Sequence, residues 1–183
     1  ELLRRYVEAW VFDALDLNSP MPNRKTDVNN HGAFSSDHIG ANYEYPDADH
    51  AARERIFRDH ASYVGGLWYF LQNDERLPAA VRERASRWGL CRDEFVDTGH
   101  WPHQLYVREA RRMVGRYVLC ENDLTQDRWK ADGIATGGYG IDSHVLQYLR
   151  EGGRLVPEHT RHVACNNYDI PYASITPPDV ENL

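Results

Sequence analysis

The sequence predicts an α+β fold, with N-terminal helices followed by a small mixed or antiparallel sheet. Two patterns carry that prediction. Apolar residues recur at three-to-four spacing through the first half, as in amphipathic helices, and the second half breaks into short β-type runs between glycines and prolines. A third observation sets the class. A chain of 183 residues that is 42% hydrophobic and 27% charged has the composition and size of one globular domain.

Residues 1–17 read as a helix, because Leu3, Val7, Trp10 and Ala14 fall on one stripe. Asn18-Ser19-Pro20 and Pro22-Asn23 end it. Residues 23–46 are rich in Asn, Gly, Ser and Asp and read as a long ordered loop, a feature that is often functional in a compact domain. Asp47 is expected to cap a long helix to about Asn73, with Ala52, Ile56, Tyr63, Leu67 and Leu71 inward and Arg53, Glu54, Arg58 and Asp59 outward. Gly65-Gly66 inside it costs roughly 1 kcal/mol per glycine relative to alanine, so a close backbone approach by a neighbour is expected there. Pro78 opens the next helix, Leu77, Val81, Ala85 and Trp88 form its stripe, and Gly89 suits its C-terminal cap.

From Leu105 onward, strand-then-helix and a single helix fit equally well. Gly115 is expected to break this element before a strand over Arg116–Cys120, and Thr125–Lys130 reads as a short helical turn. Ile134–Gly138, His144–Leu149 and Asp169–Ile175 read as short strands.

The charge balance narrows the function. A net charge of −7 with no extended basic face argues against nucleic acid as a partner. No stretch approaches the ~20 apolar residues of a membrane span. Cys91, Cys120 and Cys165 are odd in number and widely spaced, so no disulfide framework is implied. His159-x-x-His162-x-x-Cys165 and His100-x-x-His103 have borderline zinc spacing, but paired C-x-x-C and H-E-x-x-H are missing, and no metal site is assigned. Neither a G-x-S-x-G elbow nor a carboxylate pair suited to glycoside hydrolysis stands out.

The densest polar chemistry lies in Trp88–Asn122, WGLCRDEFVDTGHWPHQLYVREARRMVGRYVLCEN. Arg108, Arg111, Arg112 and Arg116 crowd together with only Glu109 against them, after a rigid Trp101-Pro102-His103-Gln104 segment. On a helix, Arg108, Arg111 and Arg112 would share one face and call for an anion, since guanidinium forks bind planar anions bidentately. The plain alternative is a solvated face with ion pairs. His103 and His144 are candidate proton carriers, because histidine titrates near neutrality. Asp142 and His144 would point to one side of a strand, so the carboxylate would orient the imidazole. Lys25, Asp27, Asn29 and Asn30 place donors and acceptors close together in the long loop.

Four stretches in order resemble one family, the FAD-dependent oxidoreductases of the "xanthan lyase-like" kind. They are Trp88–Asn122, Lys25–Pro46 (KTDVNNHGAFSSDHIGANYEYP), Gly137–Gln147 (GGYGIDSHVLQ), and Tyr168–Leu183 (YDIPYASITPP and a closing ENL). The resemblance runs from about Pro22 onward. It implies hydride transfer from a small organic substrate, carbohydrate-related compounds among the candidates, to FAD. It also implies that Arg108, Arg111 and Arg112 lie near flavin and substrate, that His103 or His144 manages the proton, and that Trp101, Tyr106 and Tyr139 shape the pocket. Lys25, Asn29 and Asn30 would lie near the cofactor.

The sequence departs from that family in one respect. The dinucleotide fingerprint G-x-G-x-x-G is absent, since Gly138-Tyr139-Gly140 begins one but Ser143 stands in the last glycine's place. The chain therefore reads as residues 1–183 of the substrate-facing interior of a larger two-domain flavoprotein, an internal fragment inactive alone, with FAD held mainly by flanking segments. Two rival readings belong to other classes. One is a non-catalytic carbohydrate-binding or interaction domain, given five Trp and eleven Tyr to stack on sugar rings, and the other is a small zinc-stabilised domain.

Overall fold

The computed structural model describes residues 21–26, 28, 36–107, 110–141, 148–157 and 165–179. The expected helix over 1–17 lies outside them, as do Asp27, Asn29, Asn30, Arg108, Glu109, Asp142, His144, His159 and His162. The chain forms two compact units, Glu1–Glu109 with Leu146–Pro157, and Ala110–Val145 with Glu158–Leu183. The class is α+β, as the patterning predicts, with two separate two-stranded antiparallel pairs among the described residues in place of one sheet.

In the first unit, helix α1 spans His50–Asn73 and helix α2 spans Ala79–Ala85. The cap of α1 is Asp49 and not Asp47. The Asp49 carboxylate accepts from Ala52 N at 2.7 Å, whereas Asp47 N donates to Glu44 O inside the preceding run of turns. A cap must sit where the chain is extended, and only Asp49 (φ −71°, ψ 173°) meets that condition immediately before the helix. At the other end, Asp74 accepts from Arg76 Nε at 2.8 Å and Nη2 at 2.6 Å, which holds its carboxyl down to about 2.

The core of this unit is Leu71, Leu77, Val81 and Ala85, with Val28, Leu67, Trp68, Phe70 and Trp88 packed around it. It joins the predicted inner stripes of α1 and α2. Arg53 departs from its expected solvent position. It is half-buried, donating to the carbonyls of Tyr45 at 3.0 Å and Pro46 at 2.8 Å and resting its guanidinium over the Tyr45 ring. Gly89 is not the cap of α2. The helix ends at Ser86, and Gln72 on α1 donates to the carbonyls of Ala85 and Trp88 at 3.2 and 3.0 Å, so a side chain from the neighbouring helix satisfies its C-terminal end.

A hairpin of Tyr148–Glu151 (β2) and Arg154–Pro157 (β3) belongs to the same unit, strand β1 being Gly133–Gly137 of the second unit. Its turn is Gly152-Gly153, both left-handed at φ 55° and 80°, the conformation a two-residue antiparallel turn demands.

The second unit holds helix α3 (Glu121–Thr125) and the antiparallel pair of β1 (Gly133–Gly137) with β4 (Tyr168–Pro171). A bulge interrupts the register between Gly133 and Ala135. A 3-10 turn, Tyr172–Ile175, takes up the second half of the expected strand Asp169–Ile175. The strand expected over Arg116–Cys120 does not form. Arg116 N and Tyr117 N instead donate to the carbonyls of Thr176 (2.9 Å) and Ala173 (3.1 Å), in and just after that 3-10 turn, which offers no straight edge to pair with. The helical turn expected at Thr125–Lys130 falls earlier, over Glu121–Thr125, where Cys120 is the N-cap and the Asp123 carboxylate accepts from its N–H. None of the described helices is long and apolar enough to cross a membrane.

Candidate functional site

Two clefts lie against α1 in the first unit. The smaller, about 640 Å³, is bordered by Tyr45, His50, Arg53, Phe57, Trp101 and His103. The larger, about 910 Å³, is bordered by Arg24, Gly65, Trp68, Trp88, Arg92 and Trp101, among others. Trp101 borders both, but it does not account for the two mid-helix glycines. A Cβ on Gly65 would stand 4.0 Å from Trp101 Cζ2, an ordinary van der Waals contact, and one on Gly66 would meet nothing within 4 Å, so the close approach expected there is not found.

A strained loop sets the position of Trp101-Pro102-His103. Phe95 (φ 50°) and His100 (φ 70°) are left-handed non-glycine residues on either side of the 3-10 turn Val96–Thr98. Each such residue costs ~1–3 kcal/mol and persists only where its surroundings enforce it. Here the enforcement is visible. His100 N donates to Phe95 O at 2.7 Å, the His100 ring nitrogen Nδ1 lies 3.1 Å from Glu94 O, and Thr98 Oγ1 donates to Trp101 O at 2.6 Å. The exposed His103 ring packs edge-on against Phe95 (centroids 5.2 Å apart), with Nε2 3.9 Å from the Asp97 carboxylate. His103 therefore stands in a cleft beside a carboxylate.

Lys25 lies at the larger cleft, but its ammonium is already engaged. It bonds Asp93 at 3.0 Å and Glu94, and Asn23 Nδ2 adds a bond to Asp93 at 3.1 Å. These contacts push the Lys25 pKa up, Glu94 contributing most, and pull that of Asp93 down. Asn23 (φ 60°) and Arg24 (φ 56°) are the other two left-handed non-glycines among the described residues, so all four belong to segments that border the clefts.

Arg111 and Arg112 are exposed and belong to the second unit. They are not on a helix, because residues 110–115 carry no regular structure, so the shared-face argument does not hold for them. Arg116 serves the fold. Its guanidinium bonds Asp179 and donates to Pro177 O at 3.1 Å. Tyr106 and Tyr139 are exposed.

Two clusters escaped the sequence reading. In the first unit His38 stacks on Tyr63 (centroids 4.2 Å, planes 1° apart), bonds Asp59 at 2.8 Å and meets the edge of His60 at 5.1 Å. Burial, then the charge of Asp37, pushes the Tyr63 hydroxyl up. Asp59, His60 and Tyr63 follow helical spacing, which was the available signal, but their partner lies 21 residues from Asp59 in a loop. In the second unit Asp123, only 3% exposed, accepts from Cys120 N and Lys130 Nζ, both at 2.8 Å, and from the Tyr117 hydroxyl. Burial alone would raise its pKa. The bonds from Lys130, Tyr117 and Cys120 outweigh burial and hold it well below the carboxylate range, while the same contact raises Lys130 and Tyr117. Every member of this cluster is partnered, so it is a structural clasp.

The donor set does not make a grip for a dinucleotide. No strand–glycine loop–helix unit occurs among the described residues, and the Lys25 ammonium is committed to two carboxylates. What the first unit offers instead is aromatic and cationic walls around open clefts.

Searches of curated proteins and of solved structures returned no match. The family comparison is positive and begins at residue 1, earlier than the resemblance from about Pro22. Residues 1–183 match the family model described as FAD dependent oxidoreductase, and the chain belongs to that family.

Proposed function

We propose that this chain forms the substrate-facing region of a flavin-dependent oxidoreductase of the xanthan lyase-like kind, acting on a small, carbohydrate-related organic substrate. The observation that carries the reading is the α1 face. There a strained loop seats Trp101 and His103 at two adjoining clefts, in a chain whose family is flavin-dependent. FAD supplies the electron acceptor and is held mainly by segments other than the described residues, with Asn29 and Asn30 near it. Lys25 acts from its ion-paired position by fixing Asp93 and Glu94.

The residues then divide the work. Trp101 and Phe57 exclude water from one face of the substrate. His103 takes the proton that leaves a substrate hydroxyl, with the Asp97 carboxylate 3.9 Å from its Nε2. Arg108, Arg111 and Arg112 supply positive charge for an anionic substrate group, and His144 is the second proton carrier.

The test follows bleaching of the bound flavin without oxygen, on mixing the holoenzyme with a panel of sugars and sugar acids. At least one compound is expected to bleach it. The His103→Ala variant should do so about 100-fold more slowly with flavin content unchanged. Bleaching at the wild-type rate in that variant would remove His103 from the mechanism.

A further inference from the structure

The larger cleft carries an inference that deepens the reading above, and it rests on that reading only in taking the ligand to be the substrate. Trp68 and Trp88 line the cleft and also pack against the Leu71–Val81 core. Part of each indole is therefore immobilised by the fold, and the rest borders the open space. Trp101 supplies a third indole and Tyr69, 70% exposed, a fourth ring. The Trp88 Nε1 donor is buried and has no hydrogen-bond partner among the described residues.

The charge at the rim is mainly positive. Arg24, Arg87 and Arg92 line the cleft beside Lys25 and Asp93, and Lys25 is shared between Asp93 and Glu94. Arg24 is held out by its left-handed turn, which the Met21–Lys25 bridge closes. Arg87 meets Glu83 only at 3.8 Å, both side chains being well exposed. On a chain of net charge −7 this is a local cationic patch over aromatic walls. Tryptophan faces stack on flat apolar ring faces, and guanidinium forks take carboxylates bidentately. A volume of about 910 Å³, with four aromatic residues among its lining, suits more than one ring.

We infer that this cleft binds an acidic oligosaccharide, one sugar ring stacked on an indole and its carboxylate held by Arg24 and Arg92. FAD shares the underlying chemistry, a flat ring with an anionic group, so the experiment must separate the two sources.

Isothermal titration of the full chain, its helical circular dichroism verified, would use trigalacturonate, maltotriose and FAD as probes. Trigalacturonate should bind saturably and at least about tenfold more tightly than neutral maltotriose, and the Arg24→Gln/Arg92→Gln double variant should lose about tenfold or more. Both arginines are exposed, so the variant keeps the fold. Equal binding of the two sugars, no binding of the acidic one, or an unchanged affinity in the double variant would overturn the inference. Binding of FAD alone would also overturn it while leaving the flavoprotein reading intact. The flavoprotein reading has its own readout, the visible spectrum of the holoenzyme, so either can fail without the other.

Discussion

Asp123 shows most clearly what a single residue contributes here. It is a fully buried carboxylate with a cation, a hydroxyl and a backbone N–H around it, and removing it would leave the Tyr117 hydroxyl and Cys120 N–H without their acceptor and Lys130, itself only 10% exposed, with Asp127 as its remaining carboxylate. Asp123→Ala should therefore destabilise the second unit by about 3 kcal/mol, measured by chemical denaturation at neutral pH. The pH dependence follows from the direction of the shift. The folded-state pKa is depressed, so the stabilisation is fully present above the unfolded value near pH 4 and is lost as pH falls through the folded value. The gap between wild type and variant should be flat from pH 7 to 5 and close in stronger acid. A gap that widened in acid would contradict this assignment. None of this was legible in the sequence, where Asp123 is one acid in a Glu-Asn-Asp run and its cation lies seven positions on, beyond helical reach of the short α3. His103 was legible, because a proline and a tryptophan before it restrict the chain and mark a shaped segment. The His38–Tyr63 stack was not, since a loop must fold back to make it.

At the scale of elements, the long helix was legible nearly whole and the short strands only in part: the strand read over Ile134–Gly138 is β1 shifted by one residue, and that read over Asp169–Ile175 begins as β4. A 24-residue helix gives many turns over which apolar spacing can repeat, so α1 emerged with its end at Asn73 and its buried stripe, and its start was displaced only by a competition between two aspartates. Strands of four or five residues give two or three alternations at most, and backbone partners decide them. Hence Arg116–Cys120 looked like a strand until its N–H groups met a 3-10 turn. β3 went unread although Gly152-Gly153 is a hairpin signal. The α1–α2 interface should be the keystone of the first unit, with Leu71 (1% exposed) and Val81 (0%) at its centre. Leu71→Ala is expected to cost about 3 kcal/mol, seen as a lower denaturation midpoint, and Leu90→Ala, at a half-exposed site, well under 1. Similar losses at the two positions would mean that the core lies elsewhere.

At the scale of the whole molecule, α+β architecture, a single family and a cleft-bearing first unit fit together. Family membership was legible through the resemblance that four stretches carry in order along the chain. The clefts were only half legible. Trp101 and His103 declared themselves, but Arg24 and Arg92 gained meaning only when a strained turn and a loop 68 residues apart were found to border the same space. We propose that this chain works as part of a flavoprotein, and the first experiment is the visible absorption spectrum of the purified native protein that carries it, before and after denaturation. The two-band spectrum of oxidised flavin and release of one FAD per chain are expected. A colourless protein that takes up no FAD when offered it would rule out a flavin-dependent role.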